Sequence, residues 1–147
     1  RTRPMKEPPV KVEVLKPSCN LDTVRDGRGG IFTWVPPEPL LEFNLIYMHP
    51  GKVRGLHYHP HFVEYLLFVA GEGVLVTKDD HTDPNCPEEF IHVSKGICTR
   101  TPIGVMHAVY SITSLTFVAM LTKPWDECDP PIVQVEPLPH TLEGKDS

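Results

Sequence analysis

Two histidines and a glutamate lie close together in the stretch of sequence best suited to chemistry. Residues 51–71 read GKVRGLHYHPHFVEYLLFVAG. His57 and His59 are separated by one residue in a segment of strand character, so their side chains are expected on the same face. Glu64 begins the next apolar strand after a tight connection at Pro60, and burying its carboxylate without a charged partner is costly. A bound metal ion would supply that partner.

A third histidine lies in a second segment, residues 96–111, which reads GICTRTPIGVMHAVYS. Pro102 and Gly104 predict a turn that leads His107 into another strand. Three imidazoles and one carboxylate suit a divalent ion, with zinc first and iron(II), manganese, nickel or cobalt as alternatives. Four protein ligands leave one or two coordination positions open, as in a reactive site. The predicted metal ligands are His57, His59, Glu64 and His107.

Any one of these side chains alone is more readily explained as a packed or surface residue. The combination of a His-x-His pair, a glutamate heading an apolar strand and a distant Pro-x-Gly-x-x-His favours metal binding instead. The remaining histidines are expected at the surface: His49, His61, His81, His92 and His140. His61 is close enough in sequence to the pair to line the mouth of a pocket.

These residues must be positioned by β-strands. The sequence contains 17 prolines and 10 glycines, which divide it into short runs rich in β-branched and aromatic residues, and no stretch has a sustained helical period. Short strands separated by turns predict an all-β sandwich or barrel. The predicted strands cover residues 31–35, 43–49, 64–70, 74–77, 90–93, 105–112 and 115–122.

The chain is long enough for one domain and has no internal repeat. Its 147 residues predict a single barrel over residues 26–125, with a proline-rich arm over 1–25 and a tail over 126–147. The net charge of −5 gives no reason to expect binding to nucleic acid or to an anionic membrane.

The sequence also predicts the cellular location of the protein and the redox state of its cysteines. No apolar run approaches the length of a membrane-spanning helix. No signal-peptide pattern is visible in the given sequence, which begins with Arg and not with Met. The four cysteines have no CxxC or zinc-finger spacing, and we interpret them as free thiols of a cytoplasmic protein. They are Cys19, Cys86, Cys98 and Cys128.

The two histidine segments resemble the two signature motifs of the cupin superfamily. In the first, Gly51 is followed by His57, His59, Glu64 and Gly71, and in the second, Gly96 is followed by Pro102, Gly104 and His107. The resemblance covers the central half of the chain and implies a single-domain double-stranded β-helix, or jelly-roll barrel, with a metal site. It does not specify the reaction, because cupins include dioxygenases, isomerases, lyases and binding proteins.

The flanking segments resemble a narrower group, the dTDP-4-dehydrorhamnose 3,5-epimerase-like cupins and the related 3,4-ketoisomerases. Residues 26–31 (DGRGGI) are similar to their Asp-x-Arg-Gly opening, and residues 122–129 (TKPWDECD) to the aromatic-acidic stretch after their last core strand. Residues 54–59 (RGLHYH) are most similar to the zinc-containing cupin domain of capsular polysaccharide enzymes.

Metal-free 3,5-epimerases of this group differ from the sequence in two respects. They have a lysine where this sequence has Glu64, and a tyrosine acid on a late strand, whereas the run 115–122 contains no tyrosine. They also use their first histidine as a base, a role that His57 cannot combine with metal ligation. The zinc-containing members are therefore the better guide.

The resemblance implies a metal-dependent epimerase or ketoisomerase that acts on a nucleotide-linked 4-keto-6-deoxy sugar through an enediolate. It assigns Arg28 and Arg54 to the diphosphate, for which a guanidinium fork is well shaped. It also implies a homodimer in which the Asp-x-Arg-Gly strand reaches the neighbour's site.

The reaction also requires a general base within hydrogen-bond reach of the substrate. The candidates are His61, Tyr47, Tyr65 and Tyr110. His61 or Tyr47 is preferred, because strand parity with the predicted ligands turns Tyr65 and Tyr110 away from the metal.

Two other classes of function fit the same constellation. One is an iron-dependent dioxygenase or a metal-dependent lyase of a small organic acid, since open coordination positions suit those chemistries equally. The other is a non-catalytic module that binds a small ligand.

Overall fold

Short β-strands make up almost all of the regular structure. The computed structural model describes residues 11–17 and 27–135. Within these ranges lie ten strands and one 3-10 helix, Trp125–Glu127. The strands are β1 (Glu13–Leu15), β2 (Glu42–Met48), β3 (Val53–Tyr58), β4 (Glu64–Ala70), β5 (Glu72–Lys78), β6 (Glu89–Ser94), β7 (Cys98–Thr101), β8 (Met106–Ser111), β9 (Leu115–Leu121) and β10 (Val133–Gln134). The predicted all-β class is confirmed.

The strands form two five-stranded antiparallel sheets with a core between them. The order is β1-β7-β4-β9-β2 in the first sheet and β10-β3-β8-β5-β6 in the second. Phe68 and Phe117 from the first sheet pack with Leu75 and Val93 from the second, and all four are buried. Burial of each such side chain is worth about 2 kcal/mol.

The run 31–35 is not a strand, so this part of the sequence prediction is wrong. Residues 31–36 pair with neither sheet. Instead, Phe32 and Trp34 stack with their ring centroids 6.0 Å apart, and the indole N–H of Trp34 donates to the Leu15 carbonyl at 3.1 Å. Pro36 and Pro37 follow, and because proline has no backbone N–H the segment cannot continue as a hydrogen-bonded ladder.

The predicted arm and tail each contribute a strand to the two sheets. In the arm, β1 pairs with β7 with Glu13 opposite Arg100. In the tail, β10 pairs with β3 with Gln134 opposite His57. The other residues of the arm and tail, 1–10, 18–26 and 136–147, lie outside the described ranges. The tail therefore belongs to the structure that positions the predicted site.

Cys86, Cys98 and Cys128 are free thiols, as predicted, and Cys19 lies outside the described residues. In the part of the chain that the structure describes, no helix is long and apolar enough to span a membrane. The cytoplasmic location stays a prediction.

Candidate metal and substrate site

A β-bulge in β3 decides which of its side chains enter the barrel. β3 pairs with β8, and the register slips between Gly55 and His57. The extra residue at this point, Leu56, has a φ of 61°, which is in the left-handed region. A bulge of this kind reverses the alternation of faces along the strand. Leu56 therefore packs in a cluster on the outer face of the second sheet, and His57 lies opposite His107 inside the barrel.

The three predicted histidine ligands form a nearly equilateral triangle. Ring centroids are 4.8 Å apart for His57 and His59, 5.0 Å for His57 and His107, and 4.9 Å for His59 and His107. One ring nitrogen from each lies within 4.8 Å of the other two. Oε1 of Glu64 is 3.3 Å from Nε2 of His59 and 3.4 Å from Nε2 of His107. The structure thus brings all four predicted ligands together.

Two of the imidazoles are held by hydrogen bonds on their far side. Nδ1 of His59 donates to the Pro131 carbonyl at 3.3 Å, and Nδ1 of His107 donates to the Val105 carbonyl at 3.0 Å. A neutral imidazole with its proton on Nδ1 presents a lone pair at Nε2. Both of these lone pairs face the Glu64 carboxylate, and a divalent cation between them would satisfy all three groups. The residues present therefore fit a metal ion.

The protonation states of the site also suit a metal. Burial lowers the pKa of His57 to about 3, with His107 and His59 acting in the same direction and Glu64 opposing them. Burial raises the pKa of Glu64, but its contacts with His107 and His59 outweigh this effect and hold the pKa well below its usual range. At neutral pH, His57 is a neutral lone-pair donor and Glu64 is a carboxylate, which are the forms that bind metal.

The constellation lies in the wall of a cavity of about 430 Å³, a size typical of small-molecule sites. The core closes its apolar side through Ile46, Leu66, Val109 and Phe117. Arg54, one of the two predicted substrate ligands, also lines the cavity. Arg54 and His57 are three residues apart and would face opposite sides of a regular strand, so the bulge is what places both in the same cavity.

Trp125 and Gln134 line the same cavity, and the sequence did not predict a role for either. Trp125 is 39% exposed, and its backbone N–H donates to Oε1 of Glu42 at 2.9 Å. It belongs to the aromatic-acidic stretch that was noted in the sequence, which was the available signal. Gln134 lies in the tail and carries no motif, so nothing in the sequence pointed to it.

The two predicted general bases lie outside this cavity. Tyr47 is 68% exposed, because its neighbour Ile46 faces the cavity and alternation turns Tyr47 outward. His61 is exposed and donates from Nε2 to the Asp129 carbonyl at 3.3 Å. The structure therefore does not bring either residue to the predicted metal ligands.

The other predicted positions are also located. Arg28 is exposed and does not belong to the cavity wall among the described residues, while its motif neighbour Asp26 lies outside them. Tyr65 faces away from the cavity, as strand parity predicted, and its hydroxyl donates to Oε2 of Glu38 at 2.6 Å. Tyr110 packs in the cluster on the outer face.

Solved structures with the same architecture include several nucleotide-sugar enzymes. A 3'-monoepimerase from Streptomyces bikiniensis in complex with dTDP-quinovose has a TM-score of 0.74 at 21% identity, covering 93% of this chain and 79% of that one. A 3,4-ketoisomerase from Helicobacter canadensis has a TM-score of 0.70 at 14% identity, covering 84% and 90%. The shared fold is the cupin jelly-roll barrel. The predicted fold class is thereby confirmed.

A third similar structure is the capsular polysaccharide assembling protein from Staphylococcus aureus. Its TM-score is 0.56 at 22% identity, and the match covers 81% of this chain but 33% of that one. Comparisons with protein-family models and with curated protein sequences give no match. At these low identities the likeness establishes the fold, and the function has to be argued from the site.

Proposed function

We propose that the protein is a metal-dependent epimerase or ketoisomerase that acts on a nucleotide-linked 4-keto-6-deoxy sugar. The observation that carries the proposal is the convergence of three imidazoles and a carboxylate in the wall of an open cavity that also contains Arg54. The similar solved structures add support, since two of them are a 3'-monoepimerase and a 3,4-ketoisomerase.

The proposed cofactor is a divalent ion, with zinc as the first choice for this mixture of nitrogen and oxygen ligands. His57, His59, Glu64 and His107 would hold it. When bound, the ion supplies a Lewis acid that stabilises negative charge developing on a substrate oxygen. The protein keeps two of the rings oriented through the Pro131 and Val105 carbonyls.

The proposed substrate orientation follows from the cavity wall. Arg54 offers a guanidinium to the diphosphate. Trp125 presents a partly exposed aromatic ring at the wall, on which the flat nucleobase would stack. The apolar side chains of Ile46, Leu66 and Phe117 suit the methyl carbon of a 6-deoxy sugar and exclude water from the reacting carbons.

The proposed reaction needs a side chain that transfers a proton to and from a substrate carbon, and the described cavity wall offers few candidates for this step. Apart from the four metal ligands, the wall has no described side chain that accepts a proton at neutral pH. The acid–base group is therefore one of those four, belongs to residues outside the described ranges, or belongs to a second subunit, and the roles assigned to His61 and Tyr47 stay predictions.

We also propose a homodimer, and strand β2 supports it. β2 is the outermost strand of the first sheet, and its outward-facing side chains Phe43, Leu45 and Tyr47 are 79, 71 and 68% exposed. An apolar row on an edge strand favours association with another chain. Leu45→Asp is expected to give monomers in sedimentation velocity, because burying a carboxylate in the interface is costly.

A control for this experiment lies on another part of the surface. Ile112 is 54% exposed in the connection between β8 and β9, so Ile112→Asp should leave the dimer intact. A monomeric unsubstituted protein, or a Leu45→Asp variant that remains dimeric, would contradict the assignment of this interface.

The reaction itself is tested by exchange with solvent. We expect the zinc-loaded protein to incorporate deuterium from D₂O into a dTDP-linked 4-keto-6-deoxy sugar at a carbon next to the ketone. Both epimerisation and ketone migration remove the proton from that carbon, and solvent deuterium replaces it. Proton NMR follows the loss of that signal. The metal-depleted protein and the His107→Ala variant are the controls and should give no exchange above the uncatalysed rate.

The alternatives give different results in the same experiment. Binding of the sugar nucleotide without exchange would favour a non-catalytic module. Oxygen uptake by an iron-loaded preparation with a small organic acid, together with no exchange, would favour the dioxygenase. Either result would overturn the proposed reaction while leaving the metal site in place.

A further inference from the structure

The ring of His57 lacks the anchors that fix the other two histidines. His59 and His107 each donate from Nδ1 to a backbone carbonyl. Within the described residues, neither ring nitrogen of His57 has a hydrogen-bond partner. Hydrogen bonds therefore do not fix the direction of His57, which depends on packing against the His59 and His107 rings and on its backbone. That backbone continues directly from the bulge at Gly55 and Leu56.

The backbone of the bulge is strained. Its two carbonyl groups, those of Gly55 and Leu56, also need hydrogen-bond partners from outside the regular ladder between β3 and β8. Gly55 and Leu56 have φ values of 103° and 61°. Leucine adopts a left-handed conformation at a cost, and such a conformation persists only where surrounding contacts enforce it. A Cβ on Gly55 would lie 2.7 Å from the His107 carbonyl oxygen, so the backbone of β8 presses closely on the bulge from one side.

Gln134 holds the bulge from the other side. Its Nε2 donates to the Gly55 carbonyl at 3.0 Å and to the Leu56 carbonyl at 2.9 Å. The next residue, Val135, donates its backbone N–H to the same Leu56 carbonyl at 3.1 Å. One side chain from the tail thus occupies both carbonyls of the bulge, directly across from His57 in the pairing of β10 with β3.

We propose that Gln134 is a positioning residue that sets the direction of the His57 side chain by bridging the two carbonyls of the Gly55–Leu56 bulge. The inference rests on the proposed metal site and goes beyond it, because it assigns a role in metal binding to a residue that is not a ligand. Gln134 is exposed, so its replacement removes the bridge without opening a hole in the core.

The test compares Gln134→Met with Val133→Ala in the full chain. Methionine has nearly the length of glutamine and no N–H donor. Val133→Ala trims the other residue of β10 and leaves the amide bridge in place. Each protein is titrated with Co²⁺, whose visible absorption reports coordination geometry as well as affinity, and thermal melting verifies that each is folded.

Gln134→Met is expected to weaken Co²⁺ binding about ten-fold, the usual lower range for loss of an outer-shell partner, and to change the visible spectrum as His57 leaves its position. Val133→Ala should retain both the affinity and the spectrum of the unsubstituted protein. An equal loss in the two variants would mean that β10 acts only as a strand anchor and would overturn the proposal.

The remaining outcomes distinguish failure of the proposed role of Gln134 from failure of the proposed metal site. Normal Co²⁺ binding by the unsubstituted protein and by Gln134→Met, with identical spectra, would overturn the role of Gln134 and leave the metal site standing. No Co²⁺ binding by the unsubstituted protein would overturn both.

Discussion

His59→Ala is expected to remove the bound metal and to lower the thermal stability of the protein at the same time. His59 is 1% exposed. Its Nε2 lies 3.3 Å from Oε1 of Glu64, and its ring packs against the Phe62 ring at a centroid distance of 4.4 Å. The substitution removes a ligand, opens a hole beside Phe62 and leaves a buried carboxylate with one fewer partner. Removing one partner of a buried charged group costs about 1–3 kcal/mol or more.

Two measurements distinguish loss of metal from loss of packing. Elemental analysis gives the metal stoichiometry, and the melting temperature is recorded with and without a chelator. A bound ion stabilises the folded state by mass action, so the chelator should lower the melting temperature of the unsubstituted protein. It should have no effect on His59→Ala, which holds no ion to remove.

His61→Ala is the matched control, since His61 is exposed and lies two residues away from His59. Its ring contacts a backbone carbonyl outside the triangle, and we expect unchanged metal content. A full complement of metal in His59→Ala would refute the assigned ligand set.

The convergence of the four predicted ligands could be predicted because it depends on strand periodicity. His57 and His59 share a face in any regular strand, Glu64 heads an apolar run that has to be buried, and a Pro-x-Gly turn precedes His107. Each of these signals is local, and the barrel preserves them. The type of fold follows from the same short runs, which explains why six of the seven predicted strands are found.

The bulge could not be predicted from the sequence. Nothing in the order Gly55, Leu56, His57 requires the leucine to adopt a left-handed conformation, because leucine avoids it intrinsically. The conformation exists through contacts with β8 and with Gln134, which are distant in sequence. A regular strand would have placed Arg54 and His57 on opposite faces, so the composition of the cavity wall depends on this tertiary detail.

The position of His61, one of the two preferred general bases, shows that closeness in sequence does not ensure closeness in space. β3 ends at Tyr58, so His59 lies one residue beyond the strand and still faces the cavity, whereas His61 follows Pro60 and is exposed. β1 and β10 were missed for a different reason. Strands of three and two residues are too short to show a period, and they form because a neighbouring edge is available for pairing.

Arg28→Met and Arg54→Met are each expected to raise the KM for the sugar nucleotide about 100-fold with little change in kcat. Each would remove a charged hydrogen bond to the diphosphate, worth about 2–3 kcal/mol, at a point remote from the reacting carbons, and such contacts affect ground state and transition state alike. Steady-state kinetics on the two variants measures the effect. An unchanged KM in Arg54→Met would remove Arg54 from the substrate site.

The two arginines have different positions, and this difference permits a sharper experiment. Arg54 lines the cavity of its own subunit, and Arg28 does not. If Arg28 serves the partner's site in the proposed homodimer, a heterodimer of Arg28→Met with Arg54→Met contains one site with both arginines and one with neither. Random reassociation of the two weakly binding variants makes half of the dimers mixed, and about a quarter of all sites should regain normal KM.

Reassociation of Arg54→Met with His107→Ala provides the control, because both residues belong to the cavity of one subunit. Every site in that mixture lacks either Arg54 or His107, and no site should regain normal KM. Recovery in the first mixture and none in the second would require that Arg28 crosses the interface. No recovery in either mixture would contradict the shared site, since Arg28 would then act within its own subunit or have no role in binding. A shared site would also explain why the cavity of a single chain has few polar side chains beyond the proposed metal ligands. Part of its wall would belong to the second subunit.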